Sequence, residues 1–243
     1  MKTLGMIAVV LLAANSLQGA DLGELIFADD FERVESQEQT DEPGNGWKTN
    51  SRSRAKGNKQ VDLRDGAMYV YMHPEADHAV SVTHPAEFTD GAVALRFKLE
   101  GDKDNLGLDF ADLDYKPVHA GHLFVIRVSP SQTKIMDLKT GNMNLEIREA
   151  RQAGTLTSAQ KKMLASKQIT IKQALAKDQW HDLLIVVEGD QCRVTIDGQL
   201  VGEFSSAGFA HPTKKMLRLS VPGQAYVDDV KVYRKTLKKS GKP

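Results

Sequence analysis

The sequence has very little cysteine, with Cys192 as the single example in 243 residues. A chain with one cysteine forms no intramolecular disulfide, so its stability has to come from a packed core, which a chain of this length can supply. In the segment CRVTID, Cys192 shares strand parity with Val194 and Ile196. This parity predicts a buried and chemically inert thiol.

The sequence also lacks an excess of charge of either sign, because 32 basic residues balance 32 acidic ones. Proteins that bind nucleic acid usually carry a basic face or stripe, so the composition predicts no nucleic-acid partner. The one local excess is the C-terminal RKTLKKSGKP, with five Lys or Arg. We interpret residues 235–243 as a solvated basic tail.

Long hydrophobic runs are absent apart from one near the N-terminus, where Lys2 precedes the apolar stretch from Leu4 to Ala14. A charged start, an apolar middle of about ten residues and a small-residue exit are typical of a secretory signal peptide. The run is shorter than the roughly 20 residues that a membrane-spanning helix needs. We therefore predict a signal peptide over 1–20, cleaved after Ser16 or after Ala20, export to the periplasm or beyond the cell, and no integral membrane segment after cleavage.

Period-two alternation of apolar and polar residues dominates the chain after this segment and predicts many short strands. The predicted strands are 24–32, 67–72, 78–84, 91–100, 105–110, 122–129, 134–139, 182–190, 191–197, 199–204, 216–221 and 225–234. Asp197-Gly198 between two of them indicates a tight hairpin, since type I′ turns need positive φ at both central positions. The pattern predicts one all-β domain over 21–234, an antiparallel two-sheet sandwich.

Residues 143–176 break the alternation and predict a helical hairpin inserted between two strands. Its first helix should end at Gly154, and Thr157 to Gln160 has capping-box spacing ahead of the second. The segment is basic, and it is either a cover for a sheet edge or a lid or docking face.

Three segments resemble the concanavalin A-like lectin/glucanase jelly roll: IFADDFERV with the following GNGW, the stretch 180–204 with its Asp-Gly turn, and AYVDDVKVY. The resemblance implies that the first and last strands lie side by side and that a concave sheet face binds saccharide. More narrowly, the order Gly46-Trp47, Asn105-Leu106-Gly107, Arg127 and Asp137 resembles secreted bacterial 3-keto-disaccharide hydrolases, also described as 3-keto-glucoside lyase/hydratases. That family has Ser where this chain has Leu106. The resemblance implies a glycoside ligand, with Trp47 and Asp137 among its contacts.

The sequence lacks E-x-D-x-x-E or E-x-D-x-E on any predicted strand. Those patterns place two carboxylates about 5 Å apart on one face, as retaining glycosidases require. Strand parity instead turns Arg96, Asn105, Asp109 and Arg127 away from the core. If their strands are neighbours, they form one polar face suited to sugar hydroxyls, which both donate and accept hydrogen bonds. The alternative is an ordinary solvated sheet face.

Five histidines occupy HPEADHAVSVTH and HAGH. His78 and His84 lie about 20 Å apart on a regular strand, so they cannot share a metal ion. We expect His78 or His122 to act as a base, in a cleft that both would face, and Arg127 or a metal near Asp109 to stabilise an oxyanion. The acidic loop with Asp112, Asp114 and His119 is the best candidate for a divalent cation.

Together these features predict an exported carbohydrate-active protein that hydrolyses or eliminates at an oxidised (3-keto) glycoside. The alternatives are a non-catalytic polysaccharide-binding module and a structural protein of the cell envelope.

Overall fold

The computed structural model of the protein describes residues 21–236. The predicted signal peptide and all but the start of the predicted tail lie outside these residues. Within them, no helix combines the length and apolar character needed to cross a membrane. The strands are β1 (Glu24–Asp29), β2 (Lys48–Thr49), β3 (Val61–Arg64), β4 (Ala67–Tyr71), β5 (Val80–Phe88), β6 (Asp90–Lys98), β7 (Leu106–Ala111), β8 (His122–Ser129), β9 (Gln132–Asp137), β10 (Gln168–Lys172), β11 (His181–Glu188), β12 (Gln191–Ile196), β13 (Gln199–Ser205), β14 (Lys214–Val221) and β15 (Gln224–Lys235). The helices are α1 (Ser51–Arg54), α2 (Leu145–Gln152) and α3 (Ser158–Ser166), with a 3₁₀ turn at His119–Gly121.

The strands form two antiparallel sheets packed face to face, which confirms the predicted sandwich. The first sheet has the order β13-β12-β11-β6-β15-β4-β3, and β1 also pairs with β15. The second sheet has the order β10-β9-β8-β7-β14-β5-β2. The first and last strands are therefore antiparallel neighbours, as expected.

The core lies between the sheets and is built from alternate residues of each strand. Leu106, Leu108 and Phe110 of β7 are buried on the inner face, and Phe110 stacks on Phe124 with ring centroids 4.5 Å apart. Burying a side chain of this size stabilises the fold by about 1.5–3 kcal/mol. Cys192 belongs to this core, and burial raises the pKa of its thiol to about 12, so the thiol is inert as predicted.

Two local predictions of turn and cap chemistry are confirmed. Asp197 and Gly198 have φ of 51° and 75°, as a type I′ hairpin requires. In the insertion, the Thr157 side chain accepts from the Gln160 backbone and the Gln160 side chain accepts from the Thr157 backbone, which completes the capping box.

The predicted helical hairpin is confirmed, but the prediction of helix to residue 176 is wrong at its end. Residues Gln168–Lys172 form β10, which pairs with β9 at the edge of the second sheet. Alternate isoleucines, Ile169 and Ile171, pack against the core while the residues between them face outward. This segment forms a strand and does not extend the preceding helix, because the sheet edge offers it both hydrogen bonds and an apolar surface.

Lys214 is an unexpected member of the interior, with 0% of its surface exposed. Its Nζ donates to the carbonyl oxygens of Thr89 and His211 at 2.5 and 3.2 Å. Burial, together with the charge of Lys139 and against the opposing effect of Asp90, lowers its pKa from 10.5 to about 8. The ammonium group therefore carries a desolvation cost that no adjacent carboxylate cancels.

We expect the free energy of unfolding of the wild type to rise relative to that of Lys214→Met between about pH 8 and pH 10.5. Below this window Lys214 is protonated in the folded and in the unfolded protein, and the folded protein bears the full desolvation cost of the charge. Within the window the unfolded protein binds more protons than the folded protein, so stability rises with pH. The relative gain should approach about 3 kcal/mol. Urea unfolding of both proteins at several pH values measures it, and parallel pH profiles would refute the buried, charged lysine.

Candidate functional site

The outer face of the second sheet carries two rows of side chains that run across its strands. The register of the paired strands defines them. The Arg127 row consists of Thr170, Lys134, Arg127, Gly107, Ser220 and Ser81. The Asp109 row consists of Gln168, Met136, Val125, Asp109, Arg218, Thr83 and Lys48. The rows are about 7 Å apart, because two residues of strand separate them.

Asp109 and Arg218 of the Asp109 row form a hydrogen-bonded cluster, the acid–base cluster, with His122 at the start of β8. His122 Nδ1 lies 2.5 Å from Asp109 Oδ2, and Arg218 Nη1 donates to Asp109 Oδ1 at 3.2 Å. The same Nη1 is 2.9 Å from His122 Nδ1 and 3.2 Å from Nε2. The Asp109 side chain is 6% exposed, while that of His122 is 18% exposed and therefore within reach of a ligand.

A bulge and a tight turn bring His122 to this cluster. β7 and β8 lose one residue of register between Phe110 and Ala111, so that Ala111 pairs with His122. The turn before β8 has Ala120 at φ 51° and Gly121 at φ 70°. A Cβ on Gly121 would lie 2.5 Å from the carbonyl oxygen of Asp112, so the turn needs glycine there.

Backbone hydrogen bonds attach the start of the insertion beside the turn that precedes β8. Leu138 and Lys139 both donate their backbone N–H groups to the Leu123 carbonyl, and Leu145 at the start of α2 donates to Pro117. His119 donates its N–H to Met143, and its ring stacks near that of His122 with centroids 6.4 Å apart. Burial lowers the pKa of His119, and the positive charge of Arg148 lowers it further. Neutral His119 and the start of α2 thus border the acid–base cluster.

The cluster can exchange a proton at one defined atom. An imidazole that donates from Nδ1 to Asp109 keeps its lone pair on Nε2. The carboxylate fixes this tautomer and stabilises the imidazolium that forms when Nε2 takes a proton. Arg218 adds a positive charge beside the same nitrogen, where it can bind an oxygen that becomes negative.

Strand parity correctly turned Asp109 and Arg127 outward, and both lie on this face. Arg127 is exposed in the row next to Asp109, diagonal to it across β7 and β8. Asn105 precedes β7 and donates Nδ2 to Lys103 O at 3.4 Å. Asn105 is four residues from Asp109 and six from Ala111, the partner of His122, so it lies about 13 Å from Asp109 and about 20 Å from the level of His122. Their roles in binding and catalysis remain predictions.

The prediction that His78 and His122 face one cleft is wrong. His122 pairs with Ala111, Ala111 with Met216 and Met216 with Pro85. β5 begins at Val80, five residues before Pro85, which places this end of β5 about 16 Å from the level of His122. His78 is exposed in the loop before β5, beyond this distance.

Arg96 was predicted to share the polar face, and this prediction is wrong because β6 belongs to the first sheet. Its guanidinium lies 3.3 Å from Asp228 and stacks over Trp180 with 4.9 Å to the ring centroid. Parity was correct, but strand pairing places the side chain on the opposite side of the sandwich.

Trp47 and Asp137, expected as substrate contacts, are both buried, and their polar atoms are hydrogen-bonded within the protein. The Trp47 ring packs between Phe27 and Phe31, and its Nε1 donates to Asp29 at 2.8 Å. Asp137 is 2% exposed and accepts four hydrogen bonds. The donors are Thr140 N at 2.9 Å, Thr140 Oγ1 at 2.5 Å, Ser206 Oγ at 2.6 Å and Gly208 N at 3.0 Å.

The predicted cation ligands Asp112, Asp114 and His119 do not converge. Asp112 instead accepts from His211 Nε2 at 3.1 Å, and Asp114 pairs with Lys215 at 2.8 Å. Burial raises the pKa of Asp112, but the hydrogen bonds from His211 and Lys215 outweigh it and hold the pKa below its ordinary value. Another carboxylate trio, Glu35, Glu38 and Asp62, is compact enough for a metal ion. Lys59 Nζ lies 2.8 to 2.9 Å from each of them and takes the place of a cation.

The sequence reasoning missed Arg218 and Lys134. Both lie in predicted strands, MLRLSV and KIMDLK, at positions opposite in parity to buried neighbours. The alternation that selected Asp109 and Arg127 applies equally to them. What was missing was the knowledge that β14 and β9 flank β7 and β8.

The 3-keto-alpha-glucoside-1,2-lyase-like domain matches residues 41–233 of the chain. This range includes both outer-face rows and the acid–base cluster. A comparison with curated proteins finds no match.

Several solved structures share the fold. An endo-beta-1,3(4)-glucanase of family GH16 is similar over 88% of this chain and 91% of its own, with 15% identity and a TM-score of 0.57. The laminarinase from Rhodothermus marinus is similar over 88% and 98%, with 13% identity and a TM-score of 0.58. The laminarinase from Flavobacterium sp. is similar over 86% and 100%, with 12% identity and a TM-score of 0.56. These likenesses establish the concanavalin A-like jelly roll.

Proposed function

The chain belongs to the family of 3-keto-alpha-glucoside-1,2-lyase-like domains, and from this premise we propose that it eliminates the substituent at C1 of a 3-keto glycoside. Membership in this family gives the protein a carbohydrate-related function. The acid–base cluster of Asp109, His122 and Arg218 on the outer face of the second sheet supports the specific reaction. It is a base with a fixed tautomer, next to a cation, at a partly exposed position.

The chemistry of a 3-keto glycoside needs these two groups. The carbonyl at C3 acidifies the proton on C2, and a base that removes it generates an enolate whose charge lies on the C3 oxygen. The electron pair then forms the C1=C2 double bond while the C1–O bond breaks and the aglycone leaves with the pair from that bond. Addition of water across C1=C2 gives the free 3-keto sugar, so elimination followed by hydration amounts to hydrolysis.

In this scheme His122 Nε2 accepts the C2 proton and Asp109 holds the ring and stabilises the imidazolium. Arg218 stabilises the enolate oxygen. Without substrate, Arg218 Nη1 lies 3.2 Å from His122 Nε2. When the substrate binds, its C3 oxygen accepts the hydrogen bond of this guanidinium instead, and the lone pair of Nε2 becomes free to accept the proton. The protonated His122 then supplies the proton for the departing oxygen.

The glucanase activity named for the structurally similar proteins is not part of this proposal. Retaining glycosidases need two carboxyl groups about 5 Å apart. The two rows of the outer face contain one carboxylate, Asp109, and its oxygens are held by His122 and Arg218. A proton abstraction beside a carbonyl fits one base and one cation.

The test is turnover of 4-nitrophenyl 3-keto-α-glucoside, measured by nitrophenol release with added divalent cations and with EDTA. Unoxidised 4-nitrophenyl α-glucoside is the matched control, because it lacks the acidified C2 proton. We expect release from the keto substrate alone. Absence of release under every metal condition would refute the proposed reaction and favour the non-catalytic polysaccharide-binding alternative.

We also propose that the protein is exported, as the N-terminal sequence pattern suggests. Detection of the mature N-terminus after residue 16 or residue 20 in a periplasmic or extracellular fraction tests this proposal, and a full-length N-terminus in the cytoplasm contradicts it.

A further inference from the structure

The outer face of the second sheet carries cations that lack acidic partners. Within residues 21–236, no carboxylate lies within 4.0 Å of the charged groups of Lys48, Arg127, Lys134 or Lys172. Asp109 is the one carboxylate of the two rows, and His122 and Arg218 already engage it. This imbalance is local, because the chain as a whole has a net charge of zero.

The outer face of the first sheet shows the opposite pattern and serves as an internal comparison. Its cations pair with acids on the same sheet or at the ends of its strands. The pairs are Arg64–Asp62, Arg96–Asp228, Lys98–Glu100, Arg193–Glu203, Lys231–Asp229 and Lys235–Glu188. The cations on the outer face of the first sheet are therefore paired, whereas within the described part of the chain Lys48, Arg127, Lys134 and Lys172 on the second sheet are not.

Among these cations, Arg127 and Lys134 repel each other most directly, because they are opposite each other on β8 and β9. Like charges in this arrangement destabilise a sheet. The positions on either side do not relieve the repulsion, since Thr170 and Gly107 flank the pair in the Arg127 row. An anion bound between the two groups would be attracted to both and would offset their repulsion.

We infer that Arg127 and Lys134 form a subsite for an anionic group of the saccharide, a carboxylate or a sulfate, so that the substrates are acidic glycosides. This inference rests on the proposed function for the identity of the site. An arginine binds a carboxylate or sulfate through two parallel hydrogen bonds, and a neighbouring lysine adds a point charge. Arg127 is diagonal to Asp109 across neighbouring strands, about 7–8 Å away. That distance is suited to an acidic substituent on the reacting sugar or on the sugar next to it.

Gly107 has no side chain to fill the space between Arg127 and the acid–base cluster. It lies in the Arg127 row, paired with Arg127 on one side and Ser220 on the other. A Cβ at this position would meet Ser220 Cβ at 3.4 Å and Val125 Cγ2 at 3.6 Å, which are ordinary contacts. Glycine is thus not required by packing there, and it places no side chain between the two groups.

The test is calorimetric binding of short acidic glycans to the full chain. The probes are oligogalacturonate, oligoglucuronate, alginate oligomers and sulfated oligosaccharides, each beside its methyl-esterified or desulfated counterpart, with polyglutamate as a non-saccharide polyanion. We expect at least one acidic glycan to bind about tenfold or more tightly than its neutral counterpart and to weaken with added salt. Equal binding of every acidic and neutral pair, or equal binding of polyglutamate, would overturn the inference. Which acidic members bind distinguishes carboxylate from sulfate.

Variants provide the second arm. Arg127→Gln and Lys134→Gln should each lower acidic-glycan affinity about tenfold, whereas Arg193→Gln, a paired cation on the first sheet, should leave it unchanged. Lys134→Glu should abolish the preference for acidic glycans and yet raise the melting temperature by about 1 to 3 °C, since it replaces a repulsive cross-strand pair with an attractive one. A purely structural role for Lys134 would change binding and stability in the same direction, and that result contradicts the subsite.

The outcome is separable from that of the proposed reaction. Acidic-glycan binding without turnover of any 3-keto glycoside would leave the anion subsite standing and remove the elimination. Turnover that is equal for neutral and acidic 3-keto glycosides and unaffected by Arg127→Gln would do the reverse.

Discussion

Replacing His122 with asparagine should lower kcat on a 3-keto-α-glucoside by about 10²- to 10⁴-fold, the range that one positioned acid–base group supplies. Asparagine places an amide N–H near the position of Nδ1, so the hydrogen bond to Asp109 can persist. What it removes is the lone pair of Nε2, which is the proposed base. The free energy of unfolding should therefore change little while turnover collapses.

His78→Asn is the matched control, because His78 is an exposed histidine at the other end of the same sheet. It should retain wild-type kcat and KM. Comparable losses in both variants would show that the assay responds to something other than the acid–base cluster. Full activity in His122→Asn would eliminate His122 as the base.

Replacing Asp137 with alanine should lower the free energy of unfolding by about 3 kcal/mol or more, the largest stability effect expected from a single polar residue here. The change removes the acceptor for Thr140, Ser206 and Gly208 in an interior where their donors have no water to turn to. The melting temperature should fall by roughly 6 to 12 °C. Thermal unfolding followed by circular dichroism measures it.

Asp114→Ala is the control, because it removes a carboxylate that is exposed instead of buried. Its carboxylate is exposed and pairs with Lys215, so the expected loss is within about 0.5 kcal/mol. If Asp137→Ala instead left stability intact and raised KM alone, Asp137 would be a ligand contact, as the family resemblance implied, rather than a tie between β9 and the 206–208 turn.

The fold was largely predictable because its signals are local. Alternation gave most strands and their buried sides, the Asp197-Gly198 turn required positive φ, and the Thr157 capping box was confirmed. The strands that alternation missed are β2, β3 and β10, of which β10 is an alternating segment of five residues that directly follows a helix. A short period-two pattern there is hard to separate from the end of a helical one.

The site was only partly predictable because its assembly depends on strand order and register. Parity gave the outward direction of Asp109, Arg127 and Arg96. It does not determine which strands are neighbours, nor on which of the two outer faces of the sandwich a side chain lies. Arg96 therefore went to the wrong sheet. Register likewise separates His78 from His122, and neither strand's sequence alone reveals which ends meet.

His122 shows a different limit. It joins the cluster through a bulge opposite Ala111 and a turn with a left-handed Ala120. Bulges reset parity, so a regular strand drawn back from Phe124 does not give the side-chain direction. The Gly121 that permits the turn was visible in HAGH, but its conformation follows from the close approach of Asp112.

The most direct test of the central claim, that His122 removes the proton from C2, is single-turnover cleavage of a 3-keto-α-glucoside carrying deuterium at C2. Single-turnover conditions isolate the chemical step from product release. The acid–base cluster predicts slower cleavage of the deuterated substrate by the wild type and a C1=C2 unsaturated product that has lost the deuterium. Equal rates for both substrates, with deuterium retained at C2 in the product, would contradict it.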